Sequence, residues 1–241
     1  MKILLLFDID GTLVDTEGAG LKALEEGFFE AFPDCRGRNF PSLDLGGATD
    51  AGVAAFLLDH FEIENTSGNR AAFFLNYTNH LEVRLQAHRD KGKGRVLPGV
   101  VSLLENLPCR FPGHTSALLT GNTKKGAEIK LQHYGLNRFF EFGAFGCDHS
   151  DRNRLGHIAI ERAAESSGRS IQGDDVVIIG DTLKDIACAR ACGANVLAVA
   201  TGAASAEELK AAKPDALLSD FSNLEKTFVA LESIFSSATS R

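Results

Sequence analysis

Short uncharged apolar runs alternate along this chain with stretches whose apolar residues recur every three or four positions. Ile3 to Phe7 is the first run and is followed at once by Asp-Ile-Asp-Gly, the pattern of a buried central strand in a parallel sheet. The spacing then changes. Leu21, Leu24, Phe28, Phe29 and Phe32 predict a helix from about Glu17 to Ala31, ended by Pro33. A loop over 34–47 carries Gly37, Pro41, Gly46 and Gly47. A second helix is expected to begin at Thr49 or Asp50 and to run through Val53, Phe56 and Leu57, and a third covers roughly 69–87 with Phe73, Phe74, Tyr77, Leu81 and Leu85 on its buried face. No strand is expected between 17 and 90. The glycine-spaced polar stretch over 90–95 reads as a hinge.

From Val96 onward the two patterns alternate regularly. Helices are expected over 97–107 (opened at Pro98), 124–134, 154–168, 183–192 and 222–235, and strands over 114–119, 142–145, 175–179, 196–200 and 216–218. Such alternation predicts an α/β fold with a doubly wound parallel sheet. The implied organisation is a discontinuous core, 1–16 with 95–241, and an inserted all-α unit over 17–94. The small polar tail, 236–241, is expected to fray.

Three predicted strand ends carry candidate chemistry. Asp8 and Asp10 sit where the first strand runs out, beside the crevice in which open α/β sheets bind ligands. Two aspartates so close repel each other, but they suit a hard cation with oxygen ligands such as magnesium. Gly11 permits a tight backbone and Thr12 adds a hydroxyl. The second end is Thr120-Gly121-Asn122, a short rigid donor set for an anion. The third is Gly180-Asp181, with Asp185 one helical turn further on, so that both carboxylates can face one point.

Taken together, DIDGTLVD at 8–15, LLTGN at 118–122 and GDTLKD at 180–185 resemble the motifs of the haloacid dehalogenase (HAD) superfamily, in particular phosphoglycolate-phosphatase-like members with a helical cap. The resemblance implies a Rossmann-like core with an inserted cap, and magnesium-dependent hydrolysis of phosphomonoesters. It makes Asp8 the nucleophile that forms an aspartyl-phosphate and Asp10 the general acid and base. Thr120 would hydrogen-bond a phosphoryl oxygen, and Gly11, Thr12, Gly121 and Asn122 would join it around the substrate. Asp181 would ligate Mg2+ directly and Asp185 directly or through water, with Asp8 completing the carboxylates and Asp10 adding its backbone carbonyl. Many relatives carry a Lys-Pro pair before the helix that precedes the third strand end, and this chain has none there. Arg152 is the favoured substitute, because guanidinium keeps its charge and bridges two oxygens, with Arg154 and Lys130 as alternatives. Gly46 to Asp50 resembles the glycine-containing substrate loop of helical caps and would point Thr49 or Asp50 at the leaving group; a loop ending in a helix cap is the other reading.

Composition narrows the partners. At 241 residues, 44% hydrophobic and 24% charged, the chain reads as an ordinary globular protein, and its net charge of -7 argues against nucleic acid or an anionic membrane as partner. The initial apolar run breaks into Asp8 and Asp10 too early for a signal peptide or a span. Five cysteines without zinc-type spacing fit reduced thiols in the cytoplasm, with Cys188 and Cys192 as small helical side chains. The expected partner is a small phosphorylated metabolite, phosphoglycolate or a sugar phosphate at family level, with the oligomeric state open. A phosphomutase shares the whole constellation, a haloacid dehalogenase needs no metal and lacks the acid at the Asp10 position, and a non-catalytic relative would lack one of Asp8, Asp10 or Asp181.

Overall fold

The computed structural model describes residues 3–238. Four consecutive buried apolar residues form β1 (Leu4–Phe7), which pairs in parallel with β4 (Thr115–Thr120) on one side and β6 (Val176–Gly180) on the other. β5 (Gly143–Phe145) extends the sheet beyond β4, and β7 (Asn195–Val199) and β8 (Ala216–Leu218) extend it beyond β6. The six parallel strands stand in the order β5-β4-β1-β6-β7-β8, the doubly wound arrangement expected from the alternating pattern.

Side chains alternate between the faces of the sheet, and each face is covered by helices. Leu5, Phe7, Leu118, Val177 and Leu197 pack under α4 (Val100–Arg110), α5 (Lys124–His133) and α9 (Leu224–Ala238). Leu4, Leu6, Leu119, Ile178 and Val196 pack under α6 (Arg152–Ser167), α7 (Leu183–Ala191) and α8 (Ala206–Ala211). Between the first two strands of the sheet lie α1 (Ala19–Ala31), α2 (Asp50–His60) and α3 (Ser67–Arg89). They bury a separate aromatic core in which Phe28 touches Phe32, Phe61 and Phe73.

Several boundaries differ from expectation for local reasons. The helix expected from Pro98 begins at Val100, because Gly99 adopts a left-handed φ of 80° before the first turn. The sixth helix begins at Arg152, two residues early, because Asp151 accepts from the Asn153 amide and caps it. α8 was not anticipated, although Ser205 and Glu208 form the reciprocal capping box that marks a helix start. α9 runs on to Ala238, three residues past the expected end, and the rest of the tail lies outside the described residues. The stretches entering and leaving the helical unit pair as a short antiparallel ribbon, β2 (Val14–Asp15) with β3 (Arg95–Val96), and Arg95 lies 3.2 Å from Asp15. No helix among the described residues is long and apolar enough to cross a membrane.

Candidate active site

The carboxyl ends of β1, β4, β6 and β7 converge on a cavity of about 260 Å³, which α1, α2 and α3 cover from above. Asp8, Asp10, Gly11, Thr120, Gly121, Asn122, Arg152 and Asp181 all line it. The sites expected from three separate stretches of sequence are thus brought to one place.

Asp8, Asp181 and Asp185 are buried, and each offers a carboxylate oxygen within 4.8 Å of the others. Burial, opposed by Arg152 and reinforced by Asp185 and Asp10, raises the Asp8 carboxyl to about 6. Burial together with Asp8 and Asp185 raises Asp181 to about 8. Asp181 is held by Thr12, whose hydroxyl donates to Oδ1 at 2.8 Å, and by the Ala203 amide at 3.3 Å from Oδ2. The backbones around it come very close: a Cβ on Gly11, which has φ 78°, or on Gly202 would collide with the Asp181 carboxylate. Asp185 is fixed differently, since its Oδ2 accepts from the Thr182 amide at 3.0 Å and hydroxyl at 2.6 Å.

Arg152 enters from the start of α6 and is almost wholly buried. Its Nη2 lies 2.5 Å from Asp185 Oδ1 and 3.2 Å from Asp8 Oδ2. Burial pulls its pKa down, but Asp185 and Asp8 outweigh burial and leave it raised. Its Nε is buried without a hydrogen-bond partner among the described residues. Asp10 turns away from this cluster. Lys130 Nζ lies 2.7 Å from both Asp10 oxygens and from Asn122 Oδ1, and Asn122 Nδ2 donates to Asp10 Oδ2 at 2.8 Å. Thr120 Oγ1 accepts from Asn122 Nδ2 at 2.8 Å and from the Asn122 amide at 3.3 Å, so its own proton remains to donate. Of the three cations considered from sequence, Arg152 and Lys130 both reach the cavity, whereas Arg154 is exposed on α6.

Two expected substrate contacts are placed elsewhere, and a third is engaged by the protein itself. Thr12 is fully buried and engaged with Asp181. Thr49 caps α2, accepting from the Gly52 amide at 3.1 Å, and donates to Ser150 O at 2.7 Å instead of facing the cavity. Asp50 does line the cavity, but its Oδ2 accepts from the Thr123 amide at 2.6 Å and its own amide donates to Gly121 O at 2.7 Å. Burial raises Asp50 to about 6, partly offset by the Thr123 amide. The N-terminus of α2 is therefore pinned to the loop after β4. Sequence reasoning missed the loop after β7, where Thr201 donates to Gly11 O at 2.6 Å. Its place at a parallel strand end was the available signal. It also missed Leu21, Leu24, Leu45 and Tyr77, which line the cavity with no motif of their own.

The family model of the haloacid dehalogenase-like hydrolases matches residues 5–199, a span that contains every motif described above. The chain belongs to that family. A curated relative from Dickeya dadantii, "Probable phosphatase IndB", is 26% identical over 243 residues, covering 100% of this chain and 99% of that protein. Among solved structures, CbbY from Rhodobacter sphaeroides in complex with phosphate matches with a TM-score of 0.68 at 20% identity, over 93% of this chain and 96% of that one. A hydrolase from Pseudomonas syringae matches with a TM-score of 0.67 at 23% identity, over 94% of this chain and 97% of that one. These structural likenesses establish the HAD fold.

Proposed function

We propose that this HAD-like hydrolase is a magnesium-dependent phosphomonoesterase acting through an aspartyl-phosphate on Asp8. The observation that carries the reading is the divergence of the two aspartates of one motif. Asp8 lies buried among Asp181, Asp185 and Arg152, while Asp10 faces the cavity under Lys130 and Asn122. One carboxylate is placed to attack and the other to move protons.

The buried donor set fits a hard divalent cation. Three carboxylates within 4.8 Å, two of them raised by burial and mutual repulsion, form an arrangement that a cation relieves. Asp8 and Asp181 would hold the ion, with Asp185 directly or through water and the Asp10 carbonyl completing the set. When bound, the cation supplies the positive charge that lets a carboxylate approach a phosphoryl dianion.

The chain's own groups perform the remaining steps. A carboxylate oxygen of Asp8 attacks phosphorus as the ester P–O bond breaks, and Asp10 gives its proton to the departing oxygen. The same Asp10, now a carboxylate, takes a proton from water as that water attacks the acyl-phosphate and releases Asp8 and inorganic phosphate. Thr120 donates to a phosphoryl oxygen, with the Gly121 and Asn122 backbone beside it. Arg152 holds the negative charge around Asp8. Residues 17–94 act as a cap that excludes bulk water in the first step and meets the alcohol.

The test is hydrolysis of p-nitrophenyl phosphate with Mg2+, without it and with excess chelator, on wild type and Asp8→Asn. Metal-dependent turnover that disappears in the variant is expected. Turnover by Asp8→Asn at the wild-type rate would overturn Asp8 as nucleophile, and turnover in chelator would overturn the metal.

A further inference from the structure

The cavity has two unlike walls. The sheet side supplies Asp8, Asp10, Thr120, Arg152 and Asp181. The helical side supplies Leu21 and Leu24 of α1, Leu45 of the following loop, Val53 of α2 and Tyr77 of α3, with glycines between them. Among the described residues, this helical wall contains no lysine, arginine or histidine, and its one ionisable carboxylate, Asp50, is already bonded to Thr123.

Among the described residues, the cations that line the cavity are Lys130 and Arg152, and both come from the sheet side. Each is committed: Lys130 to both oxygens of Asp10 and to Asn122, Arg152 to Asp8 and Asp185. A substrate whose phosphoryl group lies against Asp8 must place its alcohol against Leu24, Val53 and Tyr77. A carboxylate or second phosphate there would lose its water and gain no counter-ion, with Asp50 adding like charge. An uncharged alcohol with an apolar face would bury that face against the leucines and the tyrosine ring.

We propose that the substrate is a phosphate monoester of an uncharged alcohol or phenol, and that the apolar helical wall selects against a second anionic group. This rests on the phosphatase reading above. It sets aside phosphoglycolate and bisphosphates and keeps neutral monoesters small enough for about 260 Å³.

The experiment compares isobutyl phosphate with phosphoglycolate, a pair of the same branched shape in which two methyl groups are replaced by carboxylate oxygens. With Mg2+, kcat/KM for isobutyl phosphate should exceed that for phosphoglycolate by about 100-fold or more. Leu21→Lys, at a half-exposed position on the cavity wall that tolerates a longer side chain, should reduce that ratio at least tenfold by raising the phosphoglycolate value. Leu21→Met, which lengthens the side chain at nearly constant volume and without charge, should leave the ratio in place. Equal values for the two esters, or a preference for phosphoglycolate, would overturn the inference while leaving the phosphatase reading intact. Failure to hydrolyse either ester or p-nitrophenyl phosphate would overturn the phosphatase reading and this inference with it.

Discussion

Lys130 holds Asp10 with one ammonium group, 2.7 Å from each carboxylate oxygen, and steadies itself on Asn122 at 2.7 Å. The lysine side chain is only 5% exposed, so these partners replace nearly all its water. Lys130→Met would leave Asp10 tethered by Asn122 alone, while Asp8 and its cluster stay untouched. A general acid and base contributes roughly 10²–10⁴-fold to such reactions. We expect kcat to fall about 100-fold for an alkyl phosphate and much less for p-nitrophenyl phosphate, whose leaving group needs little protonation. Equal losses on both substrates would mean that Lys130 supports something other than Asp10.

Asp8→Asn should separate activity from stability. Turnover is expected to vanish. In the metal-free protein at pH 7, however, the variant should be the more stable, because burial raises the Asp8 carboxyl to about 6 and its ionised form is the disfavoured one. A Tm rise of roughly 2–4 °C corresponds to about 1 kcal/mol in a chain of this size. A lower Tm in chelator would show that the contact between Asp8 and Arg152 outweighs the burial of the charge.

The sheet was legible because parallel strands buried on both faces are written as uninterrupted apolar runs. Ile3 to Phe7 and Val176 to Ile179 could hardly be anything else. Asp8 and Asp181 were legible because each stands where such a run ends, and Asp10 and Asp185 by their short spacing from them. The β2 and β3 ribbon was not, since two residues per strand leave no periodicity to read. Thr49 and Asp50 were found as a pair but not oriented, because the groups that fix them, Ser150 O and the Thr123 amide, lie 101 and 73 residues away in sequence, respectively. The chemistry of guanidinium favoured Arg152 over Lys130 from sequence, and both reach the cavity by pairing with different aspartates. The apolar cavity wall was invisible for a plainer reason: Leu24 and Tyr77 carry the same helical spacing as the residues that only fill the core.

Metal affinity should rise with pH across the range in which the buried carboxyls lose their protons. Burial and mutual repulsion hold the Asp8 and Asp181 carboxyls above the usual carboxylate range in the metal-free protein, so a proton competes with the cation at each. Calorimetric titration with Mg2+ is expected to show binding at least tenfold tighter at pH 8.5 than at pH 5.5. The stabilisation by a fixed Mg2+ concentration should grow in the same direction. A dissociation constant unchanged between those pH values would show that neither carboxyl is a ligand.

Gly202→Ala tests how closely the loop after β7 is fitted to the site. Its Cβ would collide with the Asp181 carboxylate, which Thr12 and Ala203 hold from other sides. Displacing that carboxylate should weaken Mg2+ binding by roughly 10–100-fold, the scale on which disturbed supporting contacts act in metal sites. The far-UV circular dichroism should remain that of wild type. Unchanged affinity would mean that the loop moves aside at no cost to Asp181.

Asp50 gives a pH signature that no catalytic assay is needed to read. Its carboxyl stands at about 6 in the folded protein against 3.8 as its ordinary value, chiefly because it is buried, with the Thr123 amide offsetting part of that. Between those two values the native state holds the proton more tightly than the unfolded chain. This group therefore lowers stability as pH rises from about 4 to about 6 and adds no further slope above that. Asn cannot ionise, yet its carbonyl oxygen can still accept from the Thr123 amide. Asp50→Asn should thus match wild type near pH 4 and exceed it at pH 7, by an upper limit on the order of 3 kcal/mol for a shift of this size. Urea unfolding of both proteins at several pH values measures the difference directly. Equal stability at pH 7 would mean that the Thr123 amide, together with the start of α2, satisfies the charged carboxylate in full.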